Sequence, residues 1–314
     1  MAKRALVTGA SGFVGCVLAR HLLAAGHDVH LLVRPDSDRG WWRLQGLEAP
    51  RHEVDLADDA QLPSLLRSVR PEWIFHLATH GAYASQTDWR RMVRTNVLGT
   101  MNLVEAALDV GFEALVNTGS SSEYGFTDHP PSEDERVEPN STYALTKLSQ
   151  TLYCRFIAKK HDVHLPTLRL YSVYGPYEEP TRFVPTLIAH GLERRLPPLA
   201  SPDVARDFVY TEDVAEAFVL AAERSDTERG GIYNVGTGTQ TKLQDAVRLA
   251  RETFEIAAEP AWETMPNRAW DTTTWVANVH KIEHELGWKA SIPFDEGFRR
   301  FAAWVGKDRE RYRA

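Results

Sequence analysis

The run Gly9-Ala10-Ser11-Gly12-Phe13-Val14-Gly15 constrains this chain more than any other feature. It follows the apolar stretch Arg4-Ala5-Leu6-Val7, which reads as a buried strand. It opens an amphipathic stretch over residues 14–25, which reads as a helix ended by Gly26. The spacing is GxxGxxG, one residue longer than the GxGxxG form. Glycines at such a turn permit the tight bend and let backbone N–H groups approach a pyrophosphate at the helix N-terminus. Gly9, Ser11, Gly12, Phe13, Val14 and Gly15 are therefore candidate cofactor-binding residues, with hydroxyls from Thr8 and Ser11.

The rest of the chain repeats the strand-then-helix rhythm. Residues 29–33, 73–77 and 115–118 read as strands, and residues 62–69 and 96–110 as the helices between them. Later come a strand over 167–171, a helix over 211–222 and a strand over 231–235. This alternation predicts an α/β fold with a doubly wound parallel sheet. Beyond about residue 170 proline-rich pieces appear, as in Gly175-Pro176 and Leu196-Pro197-Pro198, and these read as loops over a pocket. The expected division is a dinucleotide-binding domain over 1–170 and a mainly substrate-binding domain over 171–314. Residues 204–236 are expected to return to the first domain, and the charged stretch 307–314 to form a solvated tail.

At 314 residues, with 43% hydrophobic and 25% charged residues, the chain has the material for one large or two intimate domains. The net charge of −7 argues against a nucleic-acid surface, which needs a basic face. Cys16 and Cys154 are too few for a disulfide framework, so a reducing cytoplasm is the expected setting. No signal peptide, membrane span or metal site is expected.

The second strand should end at the residue that reads the adenosine ribose, where Asp or Glu favours NAD and a nearby Arg favours the 2′-phosphate of NADP. Here the strand ends at Val33, followed by Arg34-Pro35-Asp36. Val33 cannot accept ribose hydroxyls, while Arg34 can clamp a phosphate. NADP is the preferred cofactor on this reading. NAD stays open, because Asp36 is close enough to swing in.

Tyr143-Ala144-Leu145-Thr146-Lys147 places a phenol and an ammonium one helical turn apart on one face. A neighbouring cation lowers a phenol from its usual value of about 10, making Tyr143 a general acid/base near neutral pH. Upstream, Asn117-Thr118-Gly119-Ser120-Ser121-Ser122-Glu123 lies at the end of a predicted strand. A hydroxyl there can hold the substrate oxygen that Tyr143 protonates.

Taken together these motifs resemble the extended short-chain dehydrogenase/reductase family, in its nucleotide-sugar epimerase/dehydratase branch. The resemblance runs nearly end to end. It includes residues 9–15, Asp55-Leu56 in the adenine-contacting position, His76-Leu77-Ala78 at a strand end, Asn96, Ser120, Tyr143 and Lys147. Further on, Arg169-Leu170-Tyr171-Ser172-Val173-Tyr174-Gly175-Pro176 resembles RxxNVYGP, and Arg206-Asp207-Phe208-Val209-Tyr210 resembles RDFVY. Arg268-Ala269-Trp270-Asp271 resembles the family's RPGD element.

The resemblance implies a Rossmann-like domain and a smaller C-terminal domain that grips a nucleotide-diphosphate sugar. Ser120, Tyr143 and Lys147 would be catalytic, and Asp55, Leu56, Leu77, Ala78 and Asn96 would line the cofactor. Ser121, Ser122, Ser172, Arg206, Arg268 and Asp271 would meet the substrate. It also implies a homodimer through the helices around residues 96–110 and 143–159. Three departures matter: Ser172 replaces the usual Asn, the run Leu199-Ala200-Ser201-Pro202-Asp203 lacks the Gly-x-Gly that often precedes RDF, and Ser121 and Ser122 stand where 4,6-dehydratases carry acidic residues. Glu123 comes one position later, so dehydration is disfavoured, and His80, Tyr83 and Glu123 are the further acid/base candidates. The favoured reaction is reduction of a 4-keto sugar by NADPH. The alternative is 4-epimerisation with a retained cofactor, and a decayed nicotinamide-binding regulator is a third reading.

Overall fold

The computed structural model describes residues 1–35, 38–58, 60–83, 85–266 and 272–312. The first half runs β1 (Arg4–Thr8), α1 (Phe13–Ala24), β2 (Asp28–Val33), β3 (Arg51–Glu53), α2 (Leu62–Val69), β4 (Trp73–His76), α3 (Trp89–Met92), α4 (Gly99–Val110), β5 (Ala114–Ser120) and α5 (Thr142–His161). The second half runs β6 (Thr167–Leu170), β7 (Ser172–Tyr174), α6 (Phe183–Gly191), β8 (Ala205–Arg206), β9 (Phe208–Tyr210), α7 (Thr211–Glu223), β10 (Ile232–Val235), β11 (Thr241–Lys242), α8 (Leu243–Phe254), α9 (His280–Glu285) and α10 (Phe294–Val305).

Seven strands form one sheet in the order β10-β6-β5-β4-β1-β2-β3, and every pairing in it is parallel. Its central strands are apolar runs because both faces are covered. Alternate residues of each strand point to opposite faces. Ala5, Val7, Phe75 and Val116 join α1 and α7 in one core, while Leu6, Ile74 and Leu115 join α2, α4 and α5 in the other. Phe75 is fully buried at the centre, and truncating such a ring to Ala costs about 3–5 kcal/mol. The sheet is the Rossmann-like, doubly wound arrangement that the alternation predicts.

Strand β10, from late in the chain, pairs with β6 over Ile232–Val235, and α7 packs against α1. A third core lies outside this sheet, where Tyr174, Leu187, Ile188, Phe208, Phe298 and Phe301 draw α6, α8 and α10 together. The charged C-terminus departs from the expected solvated tail. Tyr312 is buried, its hydroxyl donates to the Glu178 carbonyl at 2.9 Å, and its ring meets Trp304 and Phe301 edge-on. Among the described residues no helix is long and apolar enough to cross a membrane.

Strand order reverses beside β1, whose neighbours are β2 and β4. In such sheets the crevice for a ligand opens at the carboxyl ends of the strands around that point. Here those ends deliver the Gly9 turn from β1, Leu77 to His80 from β4 and Ser120 from β5.

Candidate active site

The glycine turn is built for close backbone approach. Gly9 has φ +67°, and a Cβ there would lie 2.6 Å from the Ala78 nitrogen. A Cβ on Gly15 would lie 2.4 Å from the Gly9 carbonyl oxygen, so helix α1 is pressed directly onto the turn. Gly12 caps α1 with extended backbone and no capping side chain, and the first turn holds no acidic residue. The opening N–H groups and positive end of the helix dipole are therefore available to an anion. Ser11, Gly12 and Val14 are partly exposed, and Phe13 is packed inward. These features fit a dinucleotide pyrophosphate.

Thr8 ties this turn to β4. Its Oγ1 accepts from the Leu77 and Ala78 N–H groups at 3.2 Å each and lies 2.8 Å from His76 Nδ1. His76 Nε2 lies 2.8 Å from Thr100 Oγ1, and burial lowers the imidazole to about 3, so it stays neutral. Asn96 lies in the π-helical segment Val93–Leu98 and is fully buried. Its Oδ1 accepts from the His80 N–H at 2.8 Å and the Thr79 hydroxyl at 3.2 Å. Its Nδ2 donates to the His80 carbonyl and Thr146 Oγ1, each at 2.9 Å. Asn96 thus clamps the loop after β4 to α5.

Arg34 follows β2 and is partly exposed, and Asp36 lies outside the described residues. The Arg34 charge reaches His80, whose pKa is lowered first by burial, then by Arg91 and Arg34. Asp55 Oδ1 accepts from the Ala57 N–H at 3.0 Å, and Leu56 is buried against Gly99.

Ser120 ends β5, and its backbone N–H donates to Glu123 Oε1 at 2.8 Å. Ser120 Oγ accepts from the Ser122 N–H at 3.2 Å, closing a capping box around the short turn Ser121–Tyr124. Glu123 is fully buried, with Oε1 also accepting from Thr151 Oγ1 at 3.0 Å and Oε2 from Arg169 Nε at 2.9 Å. Ser121 is buried and Ser122 half-buried beside it.

Tyr143 and Lys147 both lie on α5, whose N-cap Ser141 accepts from the Ala144 N–H at 3.1 Å. Ser120 and Thr79 lie close enough to the Tyr143 hydroxyl to act on its titration. Tyr143 is partly exposed, yet burial of the phenol pushes it up to about 12. Ser120, Arg182 and Thr79 pull it down, and Glu123 adds to the rise. This corrects the lowered phenol expected from the Tyr143–Lys147 spacing: desolvation outweighs the charges acting on it.

Lys147 is itself buried, and that burial lowers its ammonium to about 8 against the opposing charge of Glu123. Its Nζ donates to the Thr118 carbonyl at 2.5 Å and Gln150 Oε1 at 2.6 Å. Gln150 Nε2 donates onward to Asn117 Oδ1 at 2.6 Å.

Tyr83 is partly exposed, and burial raises its phenol against the charges of Arg43 and Arg182. Ser172 is partly exposed on β7, paired with Phe208. Arg206 on β8 donates to the Ala205 carbonyl at 2.6 Å, and its guanidinium stands 5.5 Å from the Trp275 ring centroid. Arg268 and Asp271 lie outside the described residues.

Sequence reasoning missed Thr79, Gln150 and Arg182. Gln150 was within reach, since it sits one helical turn past Lys147 on the same face of α5. Thr79 and Arg182 carry no local signal, because only the chain's return from β4 and β7 brings them to Tyr143.

The family model described as "NAD dependent epimerase/dehydratase family" matches residues 5–236. The chain is 32% identical over 306 residues to a UDP-glucose 4-epimerase of Mycolicibacterium smegmatis, covering 94% of this chain and 96% of the relative. It is 27% identical over 320 residues to a dTDP-glucose 4,6-dehydratase of Streptomyces griseus, with coverages of 98% and 96%. Its fold is similar to the crystal structure of a Bacillus cereus UDP-glucuronic acid 4-epimerase in complex with UDP-glucuronic acid and NAD. That similarity has a TM-score of 0.87 and 25% identity, and covers 97% of this chain and 99% of the other. With its glycine turn, its parallel sheet and its Ser120–Tyr143–Lys147 arrangement, this chain belongs to the NAD dependent epimerase/dehydratase family of extended short-chain dehydrogenase/reductases.

Proposed function

We propose that the protein interconverts C4 epimers of a nucleotide-diphosphate hexose. The observation that carries this reading is the engagement of Glu123. Both its oxygens are taken by the Ser120 N–H, Thr151 and Arg169, and the two preceding positions are serines. Dehydration needs an acid/base group to move a carbon-bound proton and release a hydroxyl. Thr79 beside Tyr143, and Ser121 and Ser122 after Ser120, contribute hydroxyls, which suit proton and hydride exchange at one carbinol carbon. The UDP-glucose 4-epimerase and UDP-glucuronic acid 4-epimerase among the similar proteins support the same reaction class, while the dTDP-glucose 4,6-dehydratase carries the competing one.

The glycine turn and α1 N-terminus would hold the dinucleotide, and a bound nicotinamide supplies the hydride acceptor and donor. Ser120 holds the C4 oxygen, and Tyr143 exchanges its proton. Lys147, fixed by Thr118 and Gln150, orients the ribose and adds positive charge when protonated. Glu123 positions Ser120 rather than carrying a proton. Asn96 holds the Thr79–His80 loop over the cofactor, and Arg206 with Ser172 faces the nucleotide sugar. The exposed apolar residues Leu145, Leu152 and Phe156 on α5, with Leu98 and Met101 near α4, form the face of a homodimer.

Reduction of a 4-keto sugar is the second reading. It is favoured by Arg34, which stands where a 2′-phosphate would be read, and by a resting phenol already poised as a proton donor. The deciding experiment incubates purified protein with a panel of UDP, dTDP, GDP and CDP hexoses without added cofactor. Epimerisation predicts that bound nicotinamide co-purifies and one sugar converts to its C4 epimer with no net cofactor turnover. Stoichiometric NADPH consumption with a 4-keto-6-deoxy nucleotide sugar, and no epimer formation, would replace the first reading with the second.

A further inference from the structure

The loop between β7 and α6 is a strap held by the turn that follows β2. Tyr177 in this strap has φ +71°, a left-handed backbone that costs a bulky residue free energy unless its surroundings enforce it. The enforcing group is Arg43, in the 3₁₀ turn Asp38–Leu44 that follows Arg34 and β2. Arg43 is 4% exposed; its Nε donates to the Tyr177 carbonyl at 2.7 Å and its Nη2 to Glu179 Oε2 at 3.2 Å. Stacking completes the grip: the Arg43 guanidinium lies over Trp42 at 4.5 Å, Trp42 stacks on Tyr177, and Arg20 covers the other ring at 4.2 Å.

From Tyr177 the strap runs without slack to Arg182. The Glu178 N–H donates to the Gly175 carbonyl at 3.1 Å, and the Arg182 N–H to the Glu179 carbonyl at 3.0 Å. The buried Glu178 carboxyl, pushed up to about 8 by burial against the charge of Arg182, lies 3.1 Å from Arg182 Nε, and the Tyr312 hydroxyl holds the Glu178 carbonyl. Arg182 is the N-cap of α6.

We propose that Arg43 is a positioning residue that holds the Tyr177–Glu179 strap and so fixes Arg182 on the side of the site where Tyr143 and Tyr83 lie. The turn that follows β2 is thereby coupled mechanically to the part of the site that holds Tyr143. The charge of Arg182 lowers both phenols; Ser120 and Thr79 act on Tyr143 in the same direction and Glu123 against them, while Arg43 itself lowers Tyr83 and Glu179 and Glu178 raise it. An unanchored strap would let that charge move away.

The test compares the full-length parent with Arg43→Met, Arg43→Lys and Glu179→Gln, the last at a partly exposed position that keeps the fold if Arg43→Met does not. Hydrogen exchange comes first and needs no substrate. Arg43→Met should lose protection at the Glu178 and Arg182 amides and also at the Tyr83 loop and the first turn of α5. Loss confined to residues 41–47 overturns the proposal whatever the enzyme does. The kinetic arm rests on the reading above, so a parent inactive on every nucleotide sugar would count against that reading alone.

With an accepted substrate, Arg43→Met should lower kcat by up to about 100-fold, the scale of small misplacements of catalytic groups, with a smaller change in KM. The rising limb of the pH profile, along which Tyr143 loses its proton to become the base for the C4 hydroxyl, should move to higher pH, and Arg43→Lys should recover part of both effects. A stability loss with kcat and the pH profile unchanged would make Arg43 a packing residue and nothing more.

Discussion

Glu123 reaches back over one turn to accept the Ser120 N–H at 2.8 Å while its other oxygen takes Arg169 Nε at 2.9 Å. The residue that orients the candidate catalytic serine is thus half of an ion pair buried on both sides, at 0% and 2% side-chain exposure. Breaking such a pair from one side leaves an uncompensated charge and costs about 3–5 kcal/mol. Glu123→Gln should therefore lower stability by that order in urea denaturation. Adding Arg169→Met should recover part of the loss, and an unchanged unfolding midpoint in the single variant would remove the ion pair from the account of the site.

Tyr143→Phe should reduce turnover about 10²- to 10⁴-fold, the usual contribution of a positioned acid/base group, while nicotinamide binding changes little. Ser120→Ala should lose less, because one hydrogen bond to the reacting oxygen goes and the proton carrier stays. Stopped assays on both variants beside dinucleotide titrations separate the two effects. Turnover of Tyr143→Phe within about threefold of the parent would exclude the phenol from the mechanism.

Lys147 gives a pH signature with a defined sign. Its folded pKa of about 8 lies below the ordinary 10.5, so between those values the unfolded chain binds more protons than the folded one. The penalty for burying this ammonium is fully present below pH 8 and disappears as pH rises towards 10.5. Lys147→Met has no such penalty, so its stability relative to the parent should fall across that window. Denaturant curves at pH 7.5, 9 and 10 would show it, and a constant difference would place the Lys147 pKa elsewhere.

Leu152 and Phe156 are 53% and 59% exposed on α5 although both are large and apolar. Exposed apolar clusters of this kind mark association surfaces. Leu152→Glu with Phe156→Glu should shift the protein from dimer to monomer in sedimentation at micromolar concentration. A parent that sediments as a monomer would refute the dimer face directly.

The local physics of the sequence determined a good deal. Residues 9–15 dictated a strand–turn–helix because only glycine tolerates the Gly9 backbone and the 2.4 Å approach at Gly15. Apolar runs such as Ala5-Leu6-Val7 dictated strands covered on both faces, and the Tyr143–Lys147 spacing placed both groups on one helix. What the sequence could not decide was what those groups meet. Burial depends on elements far apart in the chain, so the Tyr143 phenol rises where spacing alone suggested a fall. Glu123, which reads as a free acid beside Ser120, is claimed by Arg169 from β6, and Tyr312 in a charged terminus is drawn into a core by Trp304 and Glu178. Periodicity is a property of neighbours within a few residues, whereas desolvation and ion pairing are set by contacts that exist only after the sheet has assembled.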